Sequence, residues 1–200
     1  MTRGLLFVLG WLFSAATRSA AYSLAQAKAS FLQRAESLPN EADEALDLLI
    51  EHPKATELVR KIPDDGQWKV IYAPHIRALS AVLLVDFEVY YKFAPFNKLL
   101  SNVRYSSKIF GSGHLSTSGS YSITQEQVCK ISWTRIWWDA CDSPSLENDT
   151  KNHILPGLIQ AIGRAAFVEG VSVFPVEYID PDLCAFLFKL TGTRICARKL

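Results

Sequence analysis

From Val82 to Phe93 the chain alternates without interruption. Leu83, Val85, Phe87, Val89, Tyr91 and Phe93 fall on one side, and Asp86, Glu88, Tyr90 and Lys92 on the other. Period-two alternation over this length predicts a β-strand with one apolar face and one wet face. Strands usually run to about five or six residues, so a strand twice as long suits the wall of a barrel better than an open sheet.

The end of the chain carries the same signal in shorter pieces. Val171 to Lys199 contains three strand-like runs separated by two turn signals, Asp180-Pro181-Asp182 and Thr191-Gly192, the pattern of a β-meander. A two-residue turn at Thr191-Gly192 sets Leu190 opposite Thr193, Phe188 opposite Ile195 and Phe186 opposite Ala197, all on one apolar face. Leu187, Lys189, Arg194, Cys196 and Arg198 take the other face. A three-residue loop from Asp180 to Asp182 puts Phe174, Val176 and Tyr178 on the apolar side, whereas a two-residue loop would put Glu177 there; burying an unpaired carboxylate is expensive, so the three-residue loop is expected.

Further strands are expected at 67–73, 99–109, 119–124 and 128–138, with meander strands at 172–179, 183–190 and 193–198. Phe110 to Gly119, F-G-S-G-H-L-S-T-S-G, reads as a Gly/Ser loop or a bent edge. Helices are expected in two places. Asn40 is placed as an N-cap before Glu41, Asp43 and Glu44, with a second short helix over Pro53 to Ile62; another helix follows Pro156 over Ile154 to Phe167. The fold class is therefore mainly β: an eight-stranded antiparallel barrel with N-terminal helices and one helix before the closing meander. Residues 1–21 read as a signal or targeting segment, with Arg3, an apolar run Leu5 to Phe13 too short to span a bilayer, and Ser19-Ala20-Ala21 as a cleavage site. The alternative is an amphipathic helix kept in the mature protein. Residues 23–63 form the helical region and 66–200 the barrel domain, the targeting region extending in one reading to about residue 38.

At 200 residues, about half of them hydrophobic, the chain has enough material for one sizeable core, and its formal net charge of +1 excludes recognition driven by phosphate neutralisation. No nucleic-acid partner is expected. Cys129, Cys141, Cys184 and Cys196 lack C-x-x-C spacing, and Cys184 and Cys196 point to opposite faces of neighbouring strands, which argues against a bond between them. Free buried thiols are the default and a Cys129 to Cys141 bridge the alternative. A sequon stands at Asn148-Asp149-Thr150.

There is no G-x-S-x-G, P-loop or H-E-x-x-H motif, and His52, His75, His114 and His153 share no ligand spacing, so neither catalytic residues nor a metal or cofactor is expected. One residue stands out. On the strand from Val128 to Trp138, simple alternation puts Arg135 on the face of Cys129, Ile131, Trp133 and Trp137. A guanidinium among indoles needs an anionic partner, either the head group of an amphiphile or a carboxylate of the protein itself. The expected cavity wall comprises Trp68, Tyr72, Phe87, Tyr91, Trp133, Phe174, Phe186 and Phe188, with Arg135 as polar anchor.

Three segments resemble a known family. Gly66-Gln67-Trp68-Lys69-Val70-Ile71-Tyr72 resembles the G-x-W-x-L-x-Y opening strand of the plastid lipid-associated proteins, the fibrillins. Ser101-Asn102-Val103-Arg104-Tyr105 is similar to their internal strand, and Tyr178-Ile179-Asp180-Pro181-Asp182-Leu183, followed by Gly192 and Lys199, to their closing meander. The likeness covers roughly residues 66–199. It implies a lipocalin-like barrel in a plastid, associated with thylakoids or plastoglobules, that binds a hydrophobic metabolite without converting it. The signal segment and the stretch after it likewise resemble a two-part plastid presequence; secretion is the alternative. The expected ligand is a fatty acid, quinone or carotenoid-like lipid, with a lipid surface as a further partner. A filled barrel acting as a peripheral scaffold is the second reading, and an isomerase or cyclase on a similar barrel the third.

Overall fold

The computed structural model describes residues 23–53, 55, 66–109, 111–139 and 172–200. The expected leader, most of the second short helix, Cys141, the sequon and the helix expected over Ile154 to Phe167 lie outside the described residues. The chain divides into two compact units, residues 1–58 and 59–200.

In the first unit, helix α1 (Leu24–Ser37) begins at a reciprocal cap. The Gln26 N–H donates to Ser23 Oγ at 3.2 Å, while the Ser23 N–H donates to Gln26 Oε1 at 2.9 Å. This arrangement satisfies two N–H groups that have no partner inside the helix. Ala27, Phe31 and Ala35 recur every four residues and form its buried stripe. Helix α2 (Ala42–Ile50) buries Ala42, Ala45, Leu46 and Leu49. Its N-cap is Glu41, without a side-chain cap bond, rather than the expected Asn40. Asn40 is used up in the turn that returns the Glu41 N–H to the Leu38 carbonyl at 2.9 Å.

The second unit is the barrel. Strands β1 (Gly66–Tyr72), β2 (Asp86–Ala94), β3 (Lys98–Ser107), β4 (Gly111–Ile123), β5 (Val128–Asp139), β6 (Val173–Ile179), β7 (Leu183–Phe188) and β8 (Thr193–Lys199) pair in sequence order, all antiparallel, and β8 returns to β1 to close the ring. Closure leaves no unpaired edge, which is how a sheet this long avoids templating other chains. The ladders are unequal. Nine residue pairs join β2 to β3, while three join β5 to β6, supplemented by Ile131 N–H to Ser172 O and Val176 N–H to Gln127 O, both 2.8 Å.

Several local expectations need correction. The Gly/Ser-rich stretch is strand β4, not a loop. Gly113 lies beneath the Tyr105 hydroxyl, and at Gly119 any side chain would collide with the Ser132 and Trp133 backbone, so glycine here serves close approach rather than flexibility. The strand expected from Val82 starts at Asp86, because helix α3 (Pro74–Leu83) precedes it. Pro74 at the helix start is pre-set for that conformation, and Leu84 ends it in the left-handed region at φ 55°. In the closing hairpin Phe188 faces Thr193 and Phe186 faces Ile195, so the turn spans Lys189 to Gly192. It is two residues longer than expected, and a shift of two preserves which face each side chain takes.

Three β-bulges matter more, because each shifts the alternation by one. At Ile71 the bulge leaves Val70 opposite Ala197 but sets Tyr72 opposite Cys196, on the outer face. At Thr134 it leaves Trp133 inside opposite Gly119 and sets Arg135 opposite Ser118 and Trp137 opposite Ser116, both outside. The Thr134 hydroxyl donates to the Ser118 carbonyl at 3.1 Å, occupying an acceptor next to the interruption. At Glu177 it leaves Val176 inside, sets Tyr178 outside opposite Ala185 and brings Ile179 in opposite Cys184. Glu177 instead pairs with Arg194 at 2.7 Å.

Candidate functional site

The inward residues of the barrel do not fill it evenly. At the β1 end, Trp68 is fully buried and meets Phe93 edge-on at 6.1 Å between ring centroids; Phe93 in turn meets Tyr121 at 5.1 Å. T-shaped ring pairs of this kind contribute beyond their area burial, about 1 kcal/mol each. Toward the β5–β6–β7 side packing is looser and a cavity of about 50 Å³ remains. Its lining comes from Tyr91 and Phe93 on β2, Leu99 on β3, Cys129, Ile131 and Trp133 on β5, Phe174 on β6, Phe186 on β7 and Ile195 on β8. Trp133, Phe174 and Phe186 are half-buried, so these rings form the mouth.

No lining side chain carries a charge. Burial pushes the Cys129 thiol up to about 12, and raises both the Tyr91 phenol and the Cys184 thiol behind the wall, each further discouraged from ionising by its neighbours. Among the described residues Cys129, Cys184 and Cys196 are in no disulfide, and Cys184 and Cys196 do lie on opposite faces, since Cys184 is across from Ala197 and Ala185 from Cys196. An apolar void this small stays dry, because water there would find too few polar partners. The ionisable groups at its wall stay protonated, so the site suits an uncharged apolar group.

The expected wall residues separate into three sets. Tyr91, Trp133, Phe174 and Phe186 converge on the cavity. Trp68, Phe87 and Phe188 point inward but line other parts of the barrel. Trp68 packs in the solid end; Phe87 faces a separate depression of about 260 Å³ beside α3; and Phe188 stacks on Phe174 at 6.1 Å and meets the His75 ring, tilted by 31°, at 4.7 Å. Tyr72 and Arg135 are on the outer face, carried there by the bulges at Ile71 and Thr134, so Arg135 is no anchor for an interior ligand. Phe93, Leu99, Cys129, Ile131 and Ile195 complete the wall; alternation sets all but Leu99 on an apolar face, though none of the five is among the expected wall residues. Cross-strand pairing is the signal that finds them, since Cys129 lies opposite Phe174, Ile195 opposite Phe186 and Leu99 opposite Phe93.

Helix α3 closes the Phe188 end. His75 Nδ1 is 2.7 Å from Thr193 Oγ1, and burial lowers the histidine's proton affinity. At the opposite end Asp180 organises the β6–β7 turn. Its carboxylate accepts from the Tyr178 hydroxyl at 2.6 Å and from the N–H groups of Asp182 and Leu183 at 2.9 and 2.8 Å. Compared with known proteins, the chain matches no family model and no curated protein.

Proposed function

We propose that the protein binds the apolar end of a hydrophobic small molecule, of the fatty acid, quinone or carotenoid class, without converting it. The observation that carries this reading is the uncharged cavity bounded by Trp133, Phe174 and Phe186 in an otherwise packed barrel. Each methylene withdrawn from water there contributes about 0.8 kcal/mol. Pockets that enclose a whole ligand run to roughly 300–1,000 Å³, so at about 50 Å³ only a chain terminus enters unless the mouth rings swing aside. The rest of the ligand stays at the mouth. Protonated Tyr91 and Cys129 offer no base for proton transfer at neutral pH, which favours binding over isomerase or cyclase chemistry.

The small volume equally favours a second reading, a filled barrel acting through its outer surface as a peripheral scaffold. Native mass spectrometry of protein purified gently from its own cells separates the two. A co-purifying lipid, reduced in the Phe186→Trp variant that fills the cavity, is the expected result; an apo mass in both proteins supports the scaffold. The likeness to plastid lipid-associated proteins extends the proposal to a plastid location, tested by whether residues 1–38 carry a fluorescent protein there.

A further inference from the structure

A further concavity lies on the outside of the barrel. A groove of about 700 Å³ crosses the outer face of β2, β3 and β4, with Gln67 and Thr134 at its sides. Register fixes its floor as rows running across the strands. Tyr90 sits opposite Asn102; Gln67 opposite Lys92, Lys92 opposite Leu100 and Leu100 opposite Ser118; Lys98 opposite Ser120.

Three features point to one class of ligand. Lys92 and Lys98 are exposed diagonal neighbours on adjacent strands, about 7 Å apart by sheet geometry, and among the described residues no carboxylate lines the groove. The nearest acid on this face, Glu88, is already engaged by Lys69 at 2.6 Å and Arg104 at 3.4 Å. Two ammonium groups without a counter-charge suit one anionic group held between them. At the floor, Asn102 Oδ1 is buried without a hydrogen-bond partner, an arrangement that costs free energy unless a ligand supplies a donor. Beside it Tyr90 presents its ring, held by the Lys69 ammonium at 5.4 Å, and Ser120 offers an exposed hydroxyl. An anion, a hydroxyl donor and a flat ring for carbon–hydrogen packing together describe a sugar.

We propose that this groove binds an anionic sugar, a hexose-sized ring bearing one phosphate or sulfate, with the anion between Lys92 and Lys98 and a ring hydroxyl donating to Asn102. The same chemistry occurs on a free sugar phosphate and on the headgroup of an anionic glycolipid.

Isothermal titration of the full chain with glucose 6-phosphate, glucose 6-sulfate, glucose and inorganic phosphate tests it. The expected result is millimolar or tighter binding of a charged sugar and at least about tenfold weaker binding of both glucose and inorganic phosphate. The double variant K92A/K98A, which changes exposed side chains only, loses about tenfold or more, and Asn102→Ala, which removes the acceptor offered to the ring hydroxyl, weakens the charged sugar several-fold without changing the affinity for inorganic phosphate. Vesicles carrying a sulfated glycolipid then identify the source: competition with glucose 6-sulfate assigns the headgroup, and its absence assigns the soluble sugar. Equal affinity for inorganic phosphate, no binding at 10 mM, roughly equal binding by K92A/K98A, or preferential binding of an oligonucleotide overturns the proposal.

Discussion

The β2–β3 pair and the β4–β5 pair have similar length and opposite legibility. In β2–β3 all nine pairs stay in register, and Phe87, Val89, Tyr91 and Phe93 face inward as simple alternation requires. In β4–β5 one extra residue at Thr134 divides the strand into two phases, so Cys129, Ile131 and Trp133 face in while Arg135 and Trp137 face out. The difference teaches that periodicity locates side chains only up to the first bulge. A bulge also decides chemistry here, because it keeps a guanidinium out of an apolar interior.

Inserting an alanine between Ser118 and Gly119 breaks the comparison most severely, because it gives Thr134 a partner across the ladder. The plain alternation this restores would turn Arg135 inward, and an uncompensated buried cation costs roughly 3–5 kcal/mol. Urea denaturation is expected to show a loss of that order or failure to fold, whereas Thr134→Ser, which keeps the extra residue and its hydroxyl, stays close to the parent. An insertion variant as stable as the parent would mean that the bulge does not set the inner face.

The Glu177 bulge sharpens the same point at smaller cost. It delivers Tyr178 to the outer face, where its hydroxyl meets Asp180, whose carboxylate also holds two backbone N–H groups. Asp180→Ala is expected to lose about 2–3 kcal/mol in the same assay, since a buried donor is left without an acceptor. Asp180→Asn, which retains one acceptor oxygen, loses less.

The smallest effect concerns pH at the α3 end. His75 is half-buried with its proton affinity lowered by desolvation, so the unfolded state binds the proton more readily than the folded one. Its penalty is absent above the ordinary histidine range and grows as pH falls through about 6.5. Thermal melts between pH 7.5 and 5.5 should therefore show a decline that His75→Phe flattens by less than about 1 kcal/mol, the phenyl ring keeping the ring contact with Phe188.

The barrel was legible because eight runs rich in β-formers, closed by a meander with an apolar face, admit few other architectures. Strand β4 was hidden by its composition. Gly113 and Gly119, ordinarily turn residues, are required by the approach of Tyr105 and of the Ser132 backbone, contacts far away in sequence. Pro74 did signal helix α3, but the apolar run after it blended into the alternation of β2. Four of the nine expected wall residues meet at the cavity, and the two on the outside, Tyr72 and Arg135, both follow bulges. The outer groove was illegible for another reason: its residues come from five strands and converge only once their register is known.

The central claim is that an apolar chain end enters beside Trp133, and tryptophan quenching tests it most directly. Titration with a fatty acid brominated at its terminal carbon is expected to quench emission saturably, and Trp133→Phe should remove most of that quenching while leaving the melting temperature nearly unchanged. Absence of saturable quenching, or the same quenching in Trp133→Phe, would contradict the account.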